Sequence, residues 1–120
     1  GLPAKIKHGP PRFDCVIMNP PFSKDTCNLK WAPKNIDLTG ARCCNFVLNE
    51  CMAMSDNVIA LMPWYTIINS DVRMRALKGF GMKSITALPR KTFNYIRIQT
   101  VIIELHKDWK KETIFKTFDF

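Results

Sequence analysis

The stretch DCVIMNPPFSKD, residues 14–25, sets a short apolar run directly before an asparagine, two prolines and a phenylalanine. Residues 13–18 are apolar except for Asp14, which is the pattern of a strand buried on both faces of a parallel sheet. Proline fixes its own φ near about −65° and pushes the preceding residue into an extended conformation. The sequence therefore predicts a strand that stops here and projects residues 19–22 from the tip of a sheet.

The rest of the chain alternates between helical and strand patterns. The polar residues 23–40 show no clear hydrophobic period, and the stretch is long for a loop. After it, apolar residues recur at helical spacing, and short aliphatic runs follow. Helices are predicted over residues 41–54 and 72–78, and strands over residues 58–62, 84–88, 100–105 and, at an edge, 113–118. This alternation predicts an α/β fold with a mostly parallel sheet and helices on its faces. Ligands bind such sheets at the carboxyl ends of the strands, where residues 19–22 and 63–65 both lie.

The composition is that of one folded domain or part of one. The chain has 120 residues, of which 47% are hydrophobic and 23% charged, whereas a disordered chain is poorer in large apolar residues. Residues 1–12, GLPAKIKHGPPR, are rich in proline and glycine and predict an N-terminal arm or a truncated connection. We therefore place the domain at residues 13–120.

Charge and cysteine content narrow the expected partners and compartment. A net charge of +8 favours a polyanionic partner, because lysine and arginine side chains release counterions from phosphates. The five cysteines lack the Cys-x-x-Cys spacing of zinc sites, so we expect no metal, reduced thiols and a cytoplasmic location. Cys43, Cys44 and Cys51 lie in an apolar stretch and should act as small hydrophobic groups. No apolar run is long enough to predict a membrane-spanning helix.

The groups at the predicted strand tip suit a planar amine. Asn19 supplies an amide oxygen that accepts hydrogen bonds, and the carbonyls of the proline-stiffened segment have no local donors turning back on them. Phe22 adds a flat apolar face for stacking on a heterocycle. Two acceptors on an exocyclic NH₂ group would turn its lone pair towards an electrophile, which is catalysis by positioning and preorganised dipoles.

DCVIMNPPFS resembles the signature of amino-group DNA methyltransferases that modify adenine at N6, in which [D/N]-P-P-[F/Y/W] follows a hydrophobic strand. NFVLNECMAMSDNVIALMPWYTIINSD is similar to the helix, strand and proline-ended tip that come next in that family. ITALPRKTFNYIRIQTVIIELHKD is similar to a segment of type I modification subunits, and KETIFKTFD resembles the edge strand of their catalytic domain. The resemblance covers residues 13–119. It implies a partial Rossmann-like class I methyltransferase sheet with flanking helices and an antiparallel strand near its end.

The resemblance also implies roles for individual residues. Asn19 and the Pro20 carbonyl would bind the target amine of an adenine flipped out of duplex DNA, and Pro21 and Phe22 would complete the motif, with Phe22 stacking on the base. Phe93 would pack against the same base. S-adenosylmethionine would be the cofactor and supply the methyl group, with Asn19 adjacent to that group.

Basic residues accompany these positions. Arg90, Lys91 and Arg97 flank Phe93 and suit contacts with a nucleic-acid backbone beside a flipped base. Lys24 lies in the polar loop after the motif, where members of the family contact DNA or close over the site. An ordinary solvated loop would carry similar residues, and this alternative stays open.

The chain departs from the family's pattern at one point. The family's cofactor pocket depends on a glycine-rich turn and an acidic residue ahead of the motif strand, whereas residues 1–12 contain no such turn. We therefore expect residues 13–120 to be the second half of a methyltransferase domain, without the main S-adenosylmethionine pocket. The edge of the first strand would then be exposed and would invite pairing. Besides DNA, the expected partner is a complementing N-terminal segment or a specificity subunit.

The resemblance implies site-specific methylation of adenine N6 in DNA, within a restriction-modification or phage system, by a fragment that we expect to be inactive alone. Methylation of RNA or of protein glutamine is an alternative, because relatives with NPP[F/Y] carry out each of these reactions. A third alternative is a catalytically inactive nucleic-acid-binding remnant, which the missing cofactor half supports.

Overall fold

The computed structural model describes residues 12–20, 41–92 and 99–118. These residues include a five-stranded sheet, three α-helices and one turn of 3-10 helix. The strands are β1 Val16–Met18, β2 Asn57–Pro63, β3 Met82–Ala87, β4 Thr100–His106 and β5 Ile114–Thr117, the α-helices are α1 Ala41–Met54, α2 Trp64–Ile68 and α3 Asp71–Phe80, and the 3-10 helix is Arg90–Thr92.

The sheet has the strand order β1-β2-β4-β3-β5. β1 runs parallel to β2, β3 runs parallel to β5, and β4 runs antiparallel to both β2 and β3. Four strands therefore point one way and β4 the other, which confirms the predicted mostly parallel α/β fold with an antiparallel strand near its end. The crossovers from β1 to β2 and from β2 to β3 advance in the same direction along the sheet. Right-handed connections then place their helices on the same face.

Helix α1 forms because apolar residues recur at helical spacing along one side. Cys44, Leu48 and Cys51 are all buried and belong to the same core cluster as Val58 and Ala60 of β2. The observed helix has the predicted bounds. The two buried thiols fill core volume as small hydrophobic groups, as expected.

Helix α3 has a side-chain cap at its start and a glycine at its end. Ser70 Oγ accepts a 3.2 Å hydrogen bond from the Arg73 backbone N–H, which satisfies one of the free donors of the first turn. Gly81 ends the helix with a φ of 137°, a conformation that L side chains rarely adopt. Leu77 is buried in the core between these two ends. The helix was predicted over residues 72–78, whereas it begins one residue earlier and ends two residues later.

Burial alternates along β2 and separates the two faces of the sheet. Val58 and Ala60 are fully buried beneath the helices. Ile59 and Leu61 point to the opposite face and are half-buried. Ile17 pairs with Ile59 on that opposite face and is 78% exposed.

The expectation that the first strand is buried on both faces is therefore wrong. β1 forms one edge of the described sheet, and the described helices cover only one face. Met18 is buried on the helix side, whereas Ile17 is open to water on the other side. A continuous aliphatic run has the same appearance in both situations, because only its neighbours decide whether the second face is covered.

Two other segments differ from the predicted ones. β1 covers only three residues, because Phe13 makes an isolated bridge to Ser55 and a bend separates that bridge from the strand. The chain turns directly from Pro63 into α2, a helix that the sequence pattern did not predict. Thr66 Oγ1 donates a 2.7 Å hydrogen bond to the Pro63 carbonyl and so stabilises this turn. None of the helices in the described ranges is long and apolar enough to cross a membrane.

Candidate active site at the carboxyl ends of the strands

Asn19 and Pro20 directly follow β1 at the edge of the sheet where β2 also ends. β1 and β2 are parallel, with Met18 opposite Ala60, so Asn19 lies beside the last residues of β2. The Asn19 side chain is exposed and Pro20 is buried. The predicted meeting of the two strand tips is confirmed for these residues. The end of the sheet at which β1 and β2 both finish is called the rim below.

An apolar depression of about 370 Å³ lies below Asn19 on the face of the sheet opposite the helices. Its remaining lining residues are all apolar and come from four segments of the chain, namely Ile17, Met18, Ile59, Leu61, Leu88 and Ile102. Asn19 contributes the one polar side chain among them. The depression therefore suits apolar side chains or a flat apolar surface, whereas a charged ligand would lose its hydration there without replacement.

The Arg90–Thr92 turn follows β3 at the same rim. The Leu88 N–H donates to the Thr100 carbonyl at 3.0 Å, which fixes the end of β3 against the start of β4. Leu88 lines the depression below Asn19, and Arg90 and Lys91 follow it as exposed residues. Arg90 and Lys91, together with Pro89 and Gln99, line a second, more polar depression of about 370 Å³. Two basic side chains thus lie on the same rim as Asn19.

Five predicted site residues lie outside the described ranges: Pro21, Phe22, Lys24, Phe93 and Arg97. Their assignment stays a prediction. The structure places Asn19, Pro20, Arg90 and Lys91 on the same rim, at the ends of two strands that β2 and β4 separate.

The end of β2, with residues 63–65, has a structural role at the site. The Trp64 N–H donates to the Gln99 carbonyl at 2.9 Å, and the half-buried Trp64 side chain packs against the core. The Pro63 carbonyl is taken by Thr66. Tyr65 is exposed. This tip therefore supports the rim from the helix side.

Buried thiols of the described residues are poor nucleophiles. Burial raises the pKa of the Cys44 thiol, and the positive charge of Arg73 lowers it in part. Burial likewise raises the pKa of Cys51, and the carboxylate of Glu50 raises it further. Arg73 lies half-buried, and this burial lowers the pKa of its guanidinium. The described residues of the rim offer an amide, Asn19, and two cationic side chains, Arg90 and Lys91.

A polar cluster occupies the opposite end of the sheet. A depression of about 220 Å³ is lined there by groups that include Cys15, Lys83 and Glu104. His106 Nδ1 is hydrogen-bonded to Asn57 Oδ1, so its ring has a structural contact. Within the described residues no group of three or more His, Cys, Asp or Glu side chains could hold a metal ion.

Sequence reasoning missed the aliphatic lining of the rim depression. Ile59, Leu61 and Ile102 were expected in a doubly covered sheet, whereas they form an open surface beside Asn19. A signal was available in the segments VIALM and TVIIEL, which are aliphatic at successive positions. The missing information was which of the two faces the chain itself covers.

The fold is similar to solved methyltransferase subunits. No protein-family model and no curated protein matches the chain. A chain from the type I restriction-modification system, solved to explain its complex assembly and conformational transition, matches with a TM-score of 0.68 and 20% identity over 96% of this chain and 26% of that chain.

Two further solved structures match in the same way. A type I restriction enzyme modification subunit from Vibrio vulnificus YJ016 gives a TM-score of 0.64 and 20% identity over 91% of this chain and 26% of that one. A type I restriction-modification methyltransferase subunit from Streptococcus thermophilus gives a TM-score of 0.66 and 20% identity over 92% of this chain and 28% of that one. This chain therefore spans about a quarter of the length of the chains it matches. It has a partial Rossmann-like fold similar to part of the methyltransferase subunits of type I restriction-modification systems.

Proposed function

We propose that residues 13–120 are the target-base half of a DNA methyltransferase domain that methylates adenine at N6, within a restriction-modification or phage system. The observation that carries this proposal is the location of Asn19 and Pro20 at the carboxyl end of β1, on the same rim as the basic Arg90–Thr92 turn. The likeness to methyltransferase subunits supports the fold on which the proposal rests.

In this proposal Asn19 and Pro20 hold the target amine. The Asn19 amide oxygen and the Pro20 carbonyl each accept one N–H of the adenine amino group, so its nitrogen lone pair is aimed at the methyl donor. Pro21 stiffens the segment, and Phe22 and Phe93 stack on the flipped base. No strong base is required before the nitrogen is alkylated.

The basic residues hold the nucleic-acid backbone. Arg90 and Lys91 are exposed on the rim, so their charges can reach phosphates beside a base that enters from that side. Lys24 and Arg97 complete this set in the proposal. The chain's net charge of +8 supports a polyanionic partner.

S-adenosylmethionine supplies the methyl group when it is bound. Its charged amino-acid end and ribose hydroxyls need polar partners, whereas the depression beside Asn19 offers one amide among apolar side chains. The described residues near Asn19 therefore do not fit this cofactor. We assign its pocket to a complementing N-terminal segment or to another subunit.

The test is methyl transfer from labelled S-adenosylmethionine to DNA, RNA and protein. The chain would be assayed alone and joined to an upstream glycine-rich half, with Asn19→Ala and the exposed-site control Val72→Ala in the joined form. We expect incorporation into DNA adenine by the joined form only, and its loss in Asn19→Ala but not in the control. If no substrate is labelled, the proposed enzymatic activity is wrong. Label in RNA or protein instead of DNA would mean that the proposed substrate is wrong. An active Asn19→Ala variant would contradict the amine-binding role of Asn19.

A nucleic-acid-binding remnant without catalysis is the second candidate function. It is favoured by the apolar surroundings of Asn19, which lack partners for the cofactor. This candidate predicts duplex binding by the chain together with no methyl transfer in the joined form, so the same assay separates the two.

A further inference from the structure

Gln99 lies at the point of the rim where three neighbouring strands come together. It directly precedes β4, which lies between β2 and β3 in the sheet. Its carbonyl accepts a 2.9 Å hydrogen bond from the N–H of Trp64, the residue that follows β2. Its side-chain Nε2 donates a 3.2 Å hydrogen bond to the carbonyl of Leu88, the residue that follows β3. One half-buried residue therefore binds the ends of both strands that flank β4.

The Leu88 carbonyl is a position where this side-chain donor matters. Leu88 is 7% exposed, and its N–H donates to the Thr100 carbonyl at 3.0 Å. Residues 99 and 100 thus bind both backbone groups of Leu88. A carbonyl in a buried residue costs free energy when it loses its partner. The Gln99 amide therefore stabilises one orientation of the Leu88 carbonyl.

The basic turn begins at this carbonyl. Leu88 and Pro89 share one planar peptide group, and proline fixes its own φ, so the orientation of the Leu88 carbonyl sets the direction in which the chain leaves β3. The Pro89 carbonyl then accepts a 3.0 Å hydrogen bond from the Thr92 N–H, which closes the Arg90–Thr92 turn. The basic side chains of this turn line one depression together with Gln99. Their placement therefore depends on the Gln99 amide.

We propose that Gln99 is a positioning residue for DNA binding. Its side-chain amide holds the peptide group between Leu88 and Pro89 so that Lys91 is directed at a backbone phosphate. Gln99 acts through Lys91 in this proposal and contacts neither the target base nor the methyl donor. The role rests on the proposed function, because it requires DNA on the rim, and it specifies which residue organises that contact. Duplex binding measures this role without methyl transfer.

The first test removes the donor and keeps the size of the side chain. Gln99→Met is close in volume to the wild type and has no side-chain N–H. Its matched control is Thr113→Val, because Thr113 Oγ1 donates a 2.8 Å hydrogen bond to the carbonyl of Met82 at the other end of β3. Duplex affinity of the full chain would be measured by fluorescence anisotropy at several salt concentrations, with the folding of each variant checked by circular dichroism.

We expect Gln99→Met to behave like Lys91→Ala. The slope of log affinity against log salt should fall by about 0.9, because one phosphate contact is lost. Thr113→Val loses a hydrogen bond of the same kind at the far end of β3, so its slope and affinity should equal those of the wild type. Gln99→Asn is a second variant, which retains an amide on a shorter side chain and so leaves the Leu88 carbonyl out of reach. It should show the same loss as Gln99→Met.

A double-mutant cycle then shows whether Gln99 acts through Lys91. Once the Lys91 side chain is removed, Gln99→Met has no phosphate contact left to misplace. The double variant Gln99→Met/Lys91→Ala should therefore bind as Lys91→Ala does. A residue that contributes only to stability, or that contacts phosphate by itself, would weaken binding equally with and without Lys91.

Three results would overturn the role of Gln99 alone when the wild-type chain binds duplex DNA. They are an unaltered affinity and slope in Gln99→Met, an equal loss in Thr113→Val, and an additive loss in the double variant. Absence of duplex binding by the wild-type chain would instead contradict both this role and the proposed function. Coupled loss of binding in a joined form that transfers no methyl group would support the role of Gln99 and favour the nucleic-acid-binding remnant.

Discussion

The Ser84 hydroxyl donates a 2.9 Å hydrogen bond to Glu104 Oε1 and so joins β3 to β4 through their side chains. Ser84 is 3% exposed, whereas the Glu104 side chain is 35% exposed and lies 3.7 Å from Lys83 Nζ. The hydrogen bond is therefore sheltered from water, whereas water screens the ion pair. The two interactions should contribute differently to stability.

We expect Ser84→Ala to lower the free energy of unfolding by about 1 kcal/mol, because it removes the donor of a sheltered hydrogen bond. Glu104→Gln retains an acceptor oxygen and loses only a solvent-screened ion pair, so it should cost less than about 1 kcal/mol and become neutral at high salt. Urea denaturation of both variants at two salt concentrations measures this. A larger loss in Glu104→Gln would show that the ion pair dominates.

Gly81 and Gly79 form a matched pair for backbone effects. A Cβ on Gly81 would lie 2.0 Å from the His106 carbonyl oxygen, and φ there is 137°. A Cβ on Gly79 meets nothing within 4 Å. Gly81→Ala should therefore destabilise the chain by more than about 1 kcal/mol. Gly79→Ala, within α3, should stabilise it by up to about 1 kcal/mol. Thermal unfolding of the two variants checks the opposite signs, and equal shifts would be inconsistent with this geometry.

The thiols of the described residues should differ in reactivity. Cys15 is exposed, whereas Cys44 and Cys51 are buried and burial raises their pKa values. Thiolate is the reactive form, so iodoacetamide should alkylate Cys15 in the folded chain and the two buried thiols only after unfolding. Peptide mapping by mass spectrometry follows each site. Alkylation of Cys44 at the rate of Cys15 would contradict its burial.

The same pKa shifts set a dependence of stability on pH. A folded-state pKa above the unfolded value means that the folded chain holds the thiol proton more tightly. The contribution of Cys44 and Cys51 is therefore complete below the ordinary thiol pKa of about 8.5 and is lost as the pH rises through the folded values. Urea midpoints measured on either side of this range should fall with rising pH. A rise would oppose the assigned direction.

Lys91 should contribute to duplex binding through phosphate contact. Removing one such contact lowers the slope of log affinity against log salt by about 0.9. We expect this change in Lys91→Ala, with similar weakening for different DNA sequences, because phosphate contacts carry no base information. Lys78→Ala, an exposed site in the last turn of α3, is the control. An equal effect in both variants would indicate diffuse attraction by the chain's charge.

The sequence predicted those elements whose local signals agree with their packing. The bounds of α1 follow from Cys44, Leu48 and Cys51 on one side, and the start of α3 was predicted to within one residue. β4 was predicted to within one residue, since aliphatic residues occupy four of its seven positions. α2 was missed because five residues after a proline give too short a pattern to identify a helix.

The exposure of Ile17, Ile59 and Ile102 on the face opposite the helices could not be predicted, since exposure is decided by what packs on a strand. Ile17 belongs to a run that is typical of a doubly covered strand, yet β1 is at an edge with helices on one side. For the candidate site, the sequence predicted Asn19, Pro20, Arg90 and Lys91, and all four lie on the rim. It could not show that Leu88 connects these two segments through one depression, because that contact depends on the order of the strands.

The brevity of β1 bears on the local stability of the proposed amine-binding residues. β1 has three residues and pairs only with β2 in the described sheet, whereas β4 has seven residues and pairs on both sides. Fewer hydrogen bonds and contacts hold β1, so its opening costs less free energy than opening of the sheet centre. Hydrogen exchange should be faster at the amides of β1 than at those of β4. Asn19 is thus carried by a part of the sheet that can open while the core stays folded.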